Sequence, residues 1–310
     1  MPKLLLYRLL QFPLILAVIY TVTLALAWVA PGSPFEGERN MNPMALQQLK
    51  EQFRAESFWS FLTYYPWRVI TALDFGPALS LPGQQVSELL AIRLPRSIAL
   101  GSVALAFALL VGTLVGTLAA VYRGRFFDWA SLMFTLVGIS LPGFVVAGVL
   151  SMIFIAYLRW FSSGWGGWQQ PELMLLPALA LSLAPMAYIT RLTRVSMLDV
   201  LGADYVRTAR AKGCSRTRVV FKHCLRNAFL PVFSYLGPAA AATLTGSFVV
   251  EEIFNIPGMG KLFVLAVQNR DQTLILGTVM VYSVLLLTFN LLVDLGYALV
   301  DPRIDITARH

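Results

Sequence analysis

Charge is scarce along this chain. Only 13% of its 310 residues are Asp, Glu, Lys or Arg, where a soluble domain carries about 25%. That shortage excludes an ordinary soluble fold and points to a chain that lives in lipid. Histidine is scarcer still, with only His223 and His310. Cysteine is limited to Cys214 and Cys224, both in one basic segment. No zinc-site spacing can be assembled from so few ligands, and no H-E-x-x-H occurs. No metal and no cofactor is therefore assigned to the chain, and both thiols are expected to be reduced and structural. A membrane-embedded enzyme would need a nucleophile, acid/base or metal cluster near the surface, and none is visible.

What the chain has in abundance is apolar residues. They make up 57% of it, and the mean hydropathy is +0.69. A membrane-crossing helix needs about 20 mostly apolar residues. Six uncharged stretches are long enough: Leu9–Ala30, Ser97–Val121, Trp129–Leu158, Leu173–Thr190, Ala228–Val250 and Leu274–Val293, the last expected to continue as helix to residue 298. The third is longer than a bilayer requires and holds Gly138, Pro142 and Gly143, which predict a kink or an interfacial end. The fourth is short and carries Pro177 and Pro185. The first exceeds a signal-peptide core of about 7–15 residues and is read as a retained anchor. The expectation is an all-α membrane protein with six transmembrane helices.

Basic residues set the orientation. With the N-terminus in the cytoplasm, 15 Lys and Arg fall inside and nine outside, the latter on longer segments beside ten acidic residues. Nine of the inner ones lie between Arg191 and Arg226. Lys and Arg collect on the cytoplasmic side of membrane proteins, so the net charge of +8 needs no nucleic acid partner. Six spans then leave both termini in the cytoplasm. Trp28, Trp129 and Trp160 stand at span ends, where indole rings favour the headgroup region.

Two outer segments are sizeable. In residues 31–96, Asn42 and Pro43 suit a helix start, and Leu46, Leu49 and Phe53 recur on one helical face. Phe58–Leu73 holds Trp59, Tyr64, Tyr65 and Trp67. It suits the membrane interface or the outer face of the helix bundle, as a lid or as a docking surface. The other outer loop, residues 251–273, begins Glu251-Glu252-Ile253-Phe254-Asn255-Ile256-Pro257-Gly258-Met259-Gly260-Lys261. Its Gly-Met-Gly-Lys is followed by Leu262, so it is no phosphate loop, which needs G-x-x-x-x-G-K-[ST].

The basic segment 191–227 separates the fourth and fifth spans. Its centre runs Gly202-Ala203-Asp204-Tyr205-Val206-Arg207-Thr208-Ala209-Arg210-Ala211-Lys212-Gly213. Asp204 early and Arg210 and Lys212 late complement a helix dipole. Gly213 suits the left-handed position that closes a helix. The small residues Ala203, Ala209 and Ala211 would let another protein approach. A second basic helix is expected from Arg216 to Asn227, with Val219, Val220 and Phe221 as its apolar contacts. A solvated positive loop would explain the charge, but not the small residues or the capping glycine.

The run Asp204–Gly213, followed by His223-Cys-Leu-Arg-Asn-Ala228 and Pro231, resembles the inner-membrane permease subunits of bacterial ABC importers. The resemblance is to the dipeptide/oligopeptide/nickel type and covers nearly the whole chain. Pro31-Gly32-Ser33-Pro34 is similar to that group's Pro-Gly-Asp-Pro, with Ser33 in place of Asp. Asp74-Phe75-Gly76, Arg93-Leu94-Pro95, Glu252, Phe254, Pro257–Gly260, Asp294, Tyr297 and Asp301-Pro302-Arg303 match in order. Where the wider family's docking signature begins Glu-Ala-Ala, this chain has Arg207-Thr208-Ala209, so contacts made by that Glu are not carried over.

The resemblance implies a type I ABC importer permease fold with an extended outer segment after the first helix. It implies a bacterial inner-membrane location and a path shared with a second homologous permease. It also implies two cytoplasmic ATP-binding domains, which hold the ATP and Mg, and an extracytoplasmic solute-binding protein. Docking of the ATPase would fall to Ala203, Asp204, Tyr205, Val206, Arg207, Ala209, Arg210, Lys212 and Gly213. Glu251, Glu252, Phe254, Pro257 and Gly258 are candidates for an outer gate or for contact with the binding protein. Polar or irregular positions inside spans are candidates for the path: Ser140, Pro142, Ser182, Thr243, Ser247 and Asn290. Small polar residues also pack helices. An ion-coupled secondary transporter is the rival, and it would need ionisable groups deep in the spans, which the six stretches lack.

Overall fold

A computed structural model describes residues 2–29, 43–244 and 247–300. Among these residues the chain is helical and divides into two compact units. The first draws on residues 1–97 and 257–288, the second on 98–256 and on residues from 289 onward.

In chain order, α1 is Pro2–Val29, α2 Pro43–Gln52, α3 Phe58–Ala72 and α4 Val86–Val121. Then come α5 (Phe126–Ser140) and α6 (Gly143–Leu150), which widens into a π-helical stretch over Ser151–Tyr157. Next are α7 (Leu175–Leu201), α8 (Asp204–Ala211), the short α9 (Arg216–Arg218), a π-helical stretch Val219–Cys224 and α10 (Leu225–Ala228). The chain continues through α11 (Leu230–Leu244), α12 (Phe248–Ile253), α13 (Met259–Gln268) and α14 (Gln272–Val300).

Four helical segments are long and apolar enough to cross a membrane: Leu10–Val29, Val86–Val121, Pro171–Leu201 and Gln272–Val293. The remaining two expected spans are not continuous helices. The third breaks between Ser140 and Gly143, and its halves are bent by 103°. Leu141 is extended there, and Pro142 at φ −60° brings no N–H to carry the helix on. Of the expected kink or interfacial end, the structure shows an interruption at these residues that amounts to a full break. The fifth keeps helix only over Leu230–Leu244, and Ser247 then caps the separate α12. Residues 245–246, with Thr245, lie outside the described set, as do the 31–34 and 301–303 motifs and the side chains of Asp294 and Tyr297.

Among the helices that overrun their expected ends, α4 and α7 do so through charged residues deep in the chain. α4 starts at Val86 rather than Ser97, carrying Arg93, Pro95 and Arg96 within it. α7 continues through Arg191 and Arg194 to Leu201. Charge ended the expected spans, but charge does not end a helix whose other residues favour it.

The first unit has an aromatic core. Tyr20 and Leu24 of α1 meet Phe53, then Phe61, Tyr65 and Val69 of α3, and Leu276 of α14, all buried. The Phe61 and Tyr65 rings stack at 5.0 Å, and Tyr20 lies parallel to Tyr65 at 6.1 Å. The Asp74-Phe75-Gly76 turn is tied to this core. Asp74 pairs with Arg68 and accepts from the Gly76 N–H at 2.9 Å. Gly76 sits at φ +87°, and a Cβ there would stand 2.9 Å from Phe53.

The second unit packs around α7. α4 meets α7 through glycine: a Cβ on Gly116 would fall 2.5 Å from the Thr190 carbonyl, and one on Gly112 2.8 Å from that of Met186. Along α4, Leu100, Ala104, Ala108, Gly112, Gly116 and Ala120 recur every fourth residue and are buried. Small residues at such spacing allow helix backbones to approach closely in lipid.

Candidate functional site

The basic segment folds into a short helix resting on the ends of longer ones. Ala203 is extended, and α8 follows with Asp204 in its first turn and Arg210 in its last. The helix is closed by two backbone bonds. Gly213 N–H donates to the Arg210 carbonyl at 2.9 Å, and Cys214 N–H to that of Ala209 at 3.2 Å. This is the paired pattern of a Schellman closure, and Gly213 supplies the left-handed φ of +78°. Cys214 and Ala209 both pack on the apolar cluster below, the hydrophobic contact that accompanies such an end.

That cluster joins Ala120 of α4, Met197 of α7 and Val206 of α8 to Val219, Val220, Cys224 and Ala228. Burial pushes the Cys224 thiol up, the nearby Arg210 opposing it only in part. Three of the expected docking residues therefore face inward: Val206 is fully buried, and Ala203 and Ala209 pack on the chain's own cluster. The exposed face is Asp204, Tyr205, Arg207, Thr208, Arg210, Ala211 and Lys212. Asn227 donates to the Tyr205 hydroxyl at 2.9 Å, holding that ring at the base of the exposed face. The Arg216–Asn227 helix also forms, with Ser215 capping it. Phe221, expected inside, is exposed.

Beside this platform lies a part-buried charge pair that falls outside the uncharged spans. Arg194 of α7 grips Asp128 of α5 through two bonds, Nε to Oδ1 at 2.5 Å and Nη2 to Oδ2 at 3.0 Å. The Gly124 N–H donates to the same Oδ2 at 2.9 Å. Arg216 closes the α4–α5 turn from the other side, donating to the Val121 carbonyl at 3.2 Å and lying over the Tyr122 ring. The partners stand 66 residues apart in sequence, so no local pattern announces them.

Within the second unit, the break before α6 opens on a cavity of about 380 Å³. Ile139 and Gly143 flank it, with Leu181, Pro185 and Tyr188 of α7 and Tyr235 and Thr243 of α11, and with Ser247. The Tyr188 and Tyr235 rings meet at 4.3 Å. Among the described residues, no charged side chain lines it. Of the path candidates, Thr243 and Ser247 come together here. The Thr243 hydroxyl donates to the Ala239 carbonyl at 2.9 Å, and Ser247 caps α12. Ser182 is buried and bonded to its own helix at the Leu179 carbonyl. Ser140 and Pro142 are exposed, and Asn290 packs against Gly237.

Residues 112–306 match the family described as the binding-protein-dependent transport system inner membrane component. The chain belongs to that family. Among curated members, this inner membrane component is 43% identical to the dipeptide transport system permease protein of Bacillus subtilis, over 93% of each chain. It is 39% identical to the oligopeptide transport system permease protein of Haemophilus influenzae, over 98% of this chain and 99% of that one. Two solved structures share its fold. One is an amino acid ABC transporter (TM-score 0.51, 17% identity, 68% of this chain and 94% of that one). The other is the inward-facing MetNI methionine ABC transporter (TM-score 0.50, 18% identity, 69% and 97%). The fold is thus that of the ABC importer permeases, and the chain is a multi-pass membrane protein. Its family is a transport component rather than a catalytic subunit.

The outer-loop candidates of this inner membrane component separate into two kinds. Phe254 and Glu251 are buried, and Phe254 packs in a core with Leu100, Val250 and Ile256 while its carbonyl accepts from the Gly164 N–H at 2.8 Å. Glu252 is exposed. Pro257 and Gly258, in the first unit, precede α13. The Pro257 carbonyl accepts from Arg96 at 3.3 Å, and the Met259 N–H donates to Ser97 at 2.8 Å. Phe254 is therefore a packing residue, not an exposed contact. Asp271, not among the sequence candidates, is buried at the head of α14, where it accepts from Ser80 N–H and Oγ, Thr273 Oγ1 and Leu274 N–H. An Asp just ahead of an apolar run is the N-cap signal that could have revealed it.

Proposed function

We propose that this chain is the permease subunit of an ATP-driven importer for peptides or similar small solutes. It forms one half of the path beside a second, homologous permease. Both termini lie in the cytoplasm, and the exposed face of α8 grips a cytoplasmic ATPase. Solute arrives from an extracytoplasmic binding protein, and ATP and Mg reside on the partner ATPases. Tyr205, Arg207 and Arg210 make the ATPase contact. Gly213 ends the helix, while Val206 and Ala209 seat it. The cavity around Tyr188, Tyr235, Thr243 and Ser247 belongs to the path. Its uncharged lining fits a passage that leaves selection to the binding protein.

One observation carries the reading: a helix closed at Gly213 that leaves Tyr205, Arg207 and Arg210 outward, in a chain whose relatives are named dipeptide and oligopeptide permeases. The test is Arg207→Glu with Arg210→Glu, assayed in vesicles holding the full set of subunits. The expected result is normal insertion of the permease, with loss of ATPase co-purification and of peptide uptake. Unchanged uptake would overturn the docking assignment. Uptake driven by an ion gradient, without ATPase subunits, would favour the secondary transporter.

A further inference from the structure

The outer helix α3 has two faces of different fate. Its inner face follows α1: Trp28 meets Phe58 at 5.7 Å, the Tyr20 hydroxyl donates to the Phe61 carbonyl at 3.3 Å, and Tyr20 stacks on Tyr65. On α1 these contacts run from Trp28 back to Tyr20, which at 1.5 Å per residue is about 12 Å of helix. That stretch belongs to the candidate span Leu10–Val29, in a hydrocarbon layer about 30 Å thick. The contact therefore extends below the mouth of the span.

The opposite face of α3 is apolar and open. Trp59, Trp67 and Ile70 are 73%, 64% and 75% exposed, at a spacing that places them on one stripe. Arg68, the helix's one charged residue, is drawn off this face by Asp74, the Gln52 carbonyl and the Phe53 ring. On its side away from α3, α1 exposes Val22, Leu26 and Val29, which a spanning helix presents to acyl chains.

We infer that α3 is a lipid-embedded helix whose Trp59–Trp67–Ile70 face sits in the bilayer leaflet at the Val29 end of α1. The occupant of that face is phospholipid, at the depth of the glycerol and upper acyl chain. Three observations favour lipid over a protein partner. α3 packs along α1 within its candidate span, the stripe's charge is withdrawn, and its two indoles suit the interfacial region. The inference needs α1 to cross the membrane and does not depend on what is transported.

The test uses the full-length chain in phosphatidylcholine vesicles. A nitroxide is placed at Ile70→Cys in a background of Cys214→Ser and Cys224→Ala. Collisions with dissolved oxygen should exceed those with a water-soluble nickel chelate several-fold. Preferential access to the nickel chelate would overturn the inference, as would shielding from both reagents, the signature of a second protein copy. Access to nickel that disappears only when a solute-binding protein is added would instead assign the face to that protein. A second measurement leaves the native cysteines in place. Lipid brominated near the glycerol end should quench a smaller share of tryptophan emission in the Trp59→Phe, Trp67→Phe variant than in the parent. An unchanged share would overturn the inference. Neither readout requires ATP, solute or uptake, so a failed transport assay bears only on the proposed function.

Discussion

The two units pack by different means. The first is held by rings: Tyr20, Phe53, Phe61 and Tyr65 bury large areas around α3. The second is held by the absence of side chains, with Gly112 and Gly116 letting α4 touch the α7 backbone. Ring packing gains from the many dispersion contacts and the stacked or edge-on geometry of large side chains. Helices in lipid also associate by close backbone contact, which small residues permit. The difference suggests which substitutions each unit tolerates.

The comparison is broken most severely at Gly116→Leu. Its Cβ would stand 2.5 Å from the Thr190 carbonyl, so one helix must move. The expected outcome is loss of monodisperse protein after detergent extraction, measured by size-exclusion chromatography. Next comes Arg194→Ala, which strands Asp128 in a largely buried place. Removing one partner costs about 3–5 kcal/mol when both are buried; here Asp128 is buried and Arg194 partly so. Recovery in the double variant Arg194→Leu, Asp128→Leu would show that the charge, not the shape, is at stake. A variant as stable as the parent by thermal unfolding would refute the pair's structural role.

In the aromatic unit, Phe61→Ala should cost about 3–5 kcal/mol, whereas Phe61→Leu should be much milder. That tolerance of another apolar shape is what the glycine contacts should lack. A smaller effect is expected at Gly213→Ala, about 1 kcal/mol, from forcing a Cβ into the left-handed region. The smallest is Asp204→Ala, because the Asp204–Arg207 pair is exposed on both sides and such pairs contribute little. Thiol chemistry offers a separate check. Cys224's raised pKa leaves less thiolate than a free cysteine at any pH near neutral, so maleimide should spare it until the protein unfolds, while half-exposed Cys214 reacts first. Equal labelling of both would refute the buried placement.

What the sequence made legible was local. Helix α8 and its closing Gly213 followed from dipole order and capping chemistry, both confined to ten residues. The break near Pro142 was visible as punctuation, but its 103° bend depends on what α6 packs against. The end of α7 was misplaced because Arg191 and Arg194 were taken as the edge of the membrane segment. Arg194 is accommodated by Asp128, and no pattern in one sequence pairs positions 66 residues apart. The inward turn of Val206 and Ala209 likewise needed the platform beneath them. By contrast, the fourfold spacing of small residues along α4 was present in the sequence and would have shown its packing face.

Helix α7 has a mechanical consequence. It is one continuous element from Leu181 and Pro185 at the cavity, through the Arg194 clasp, to Met197 under α8. From Leu181 to Met197 it spans about 24 Å at 1.5 Å per residue. A stiff rod of that length, tilted by about 10°, carries its far end through about 4 Å. A tilt of α7 at the platform would therefore be felt at the cavity wall, on the same helix.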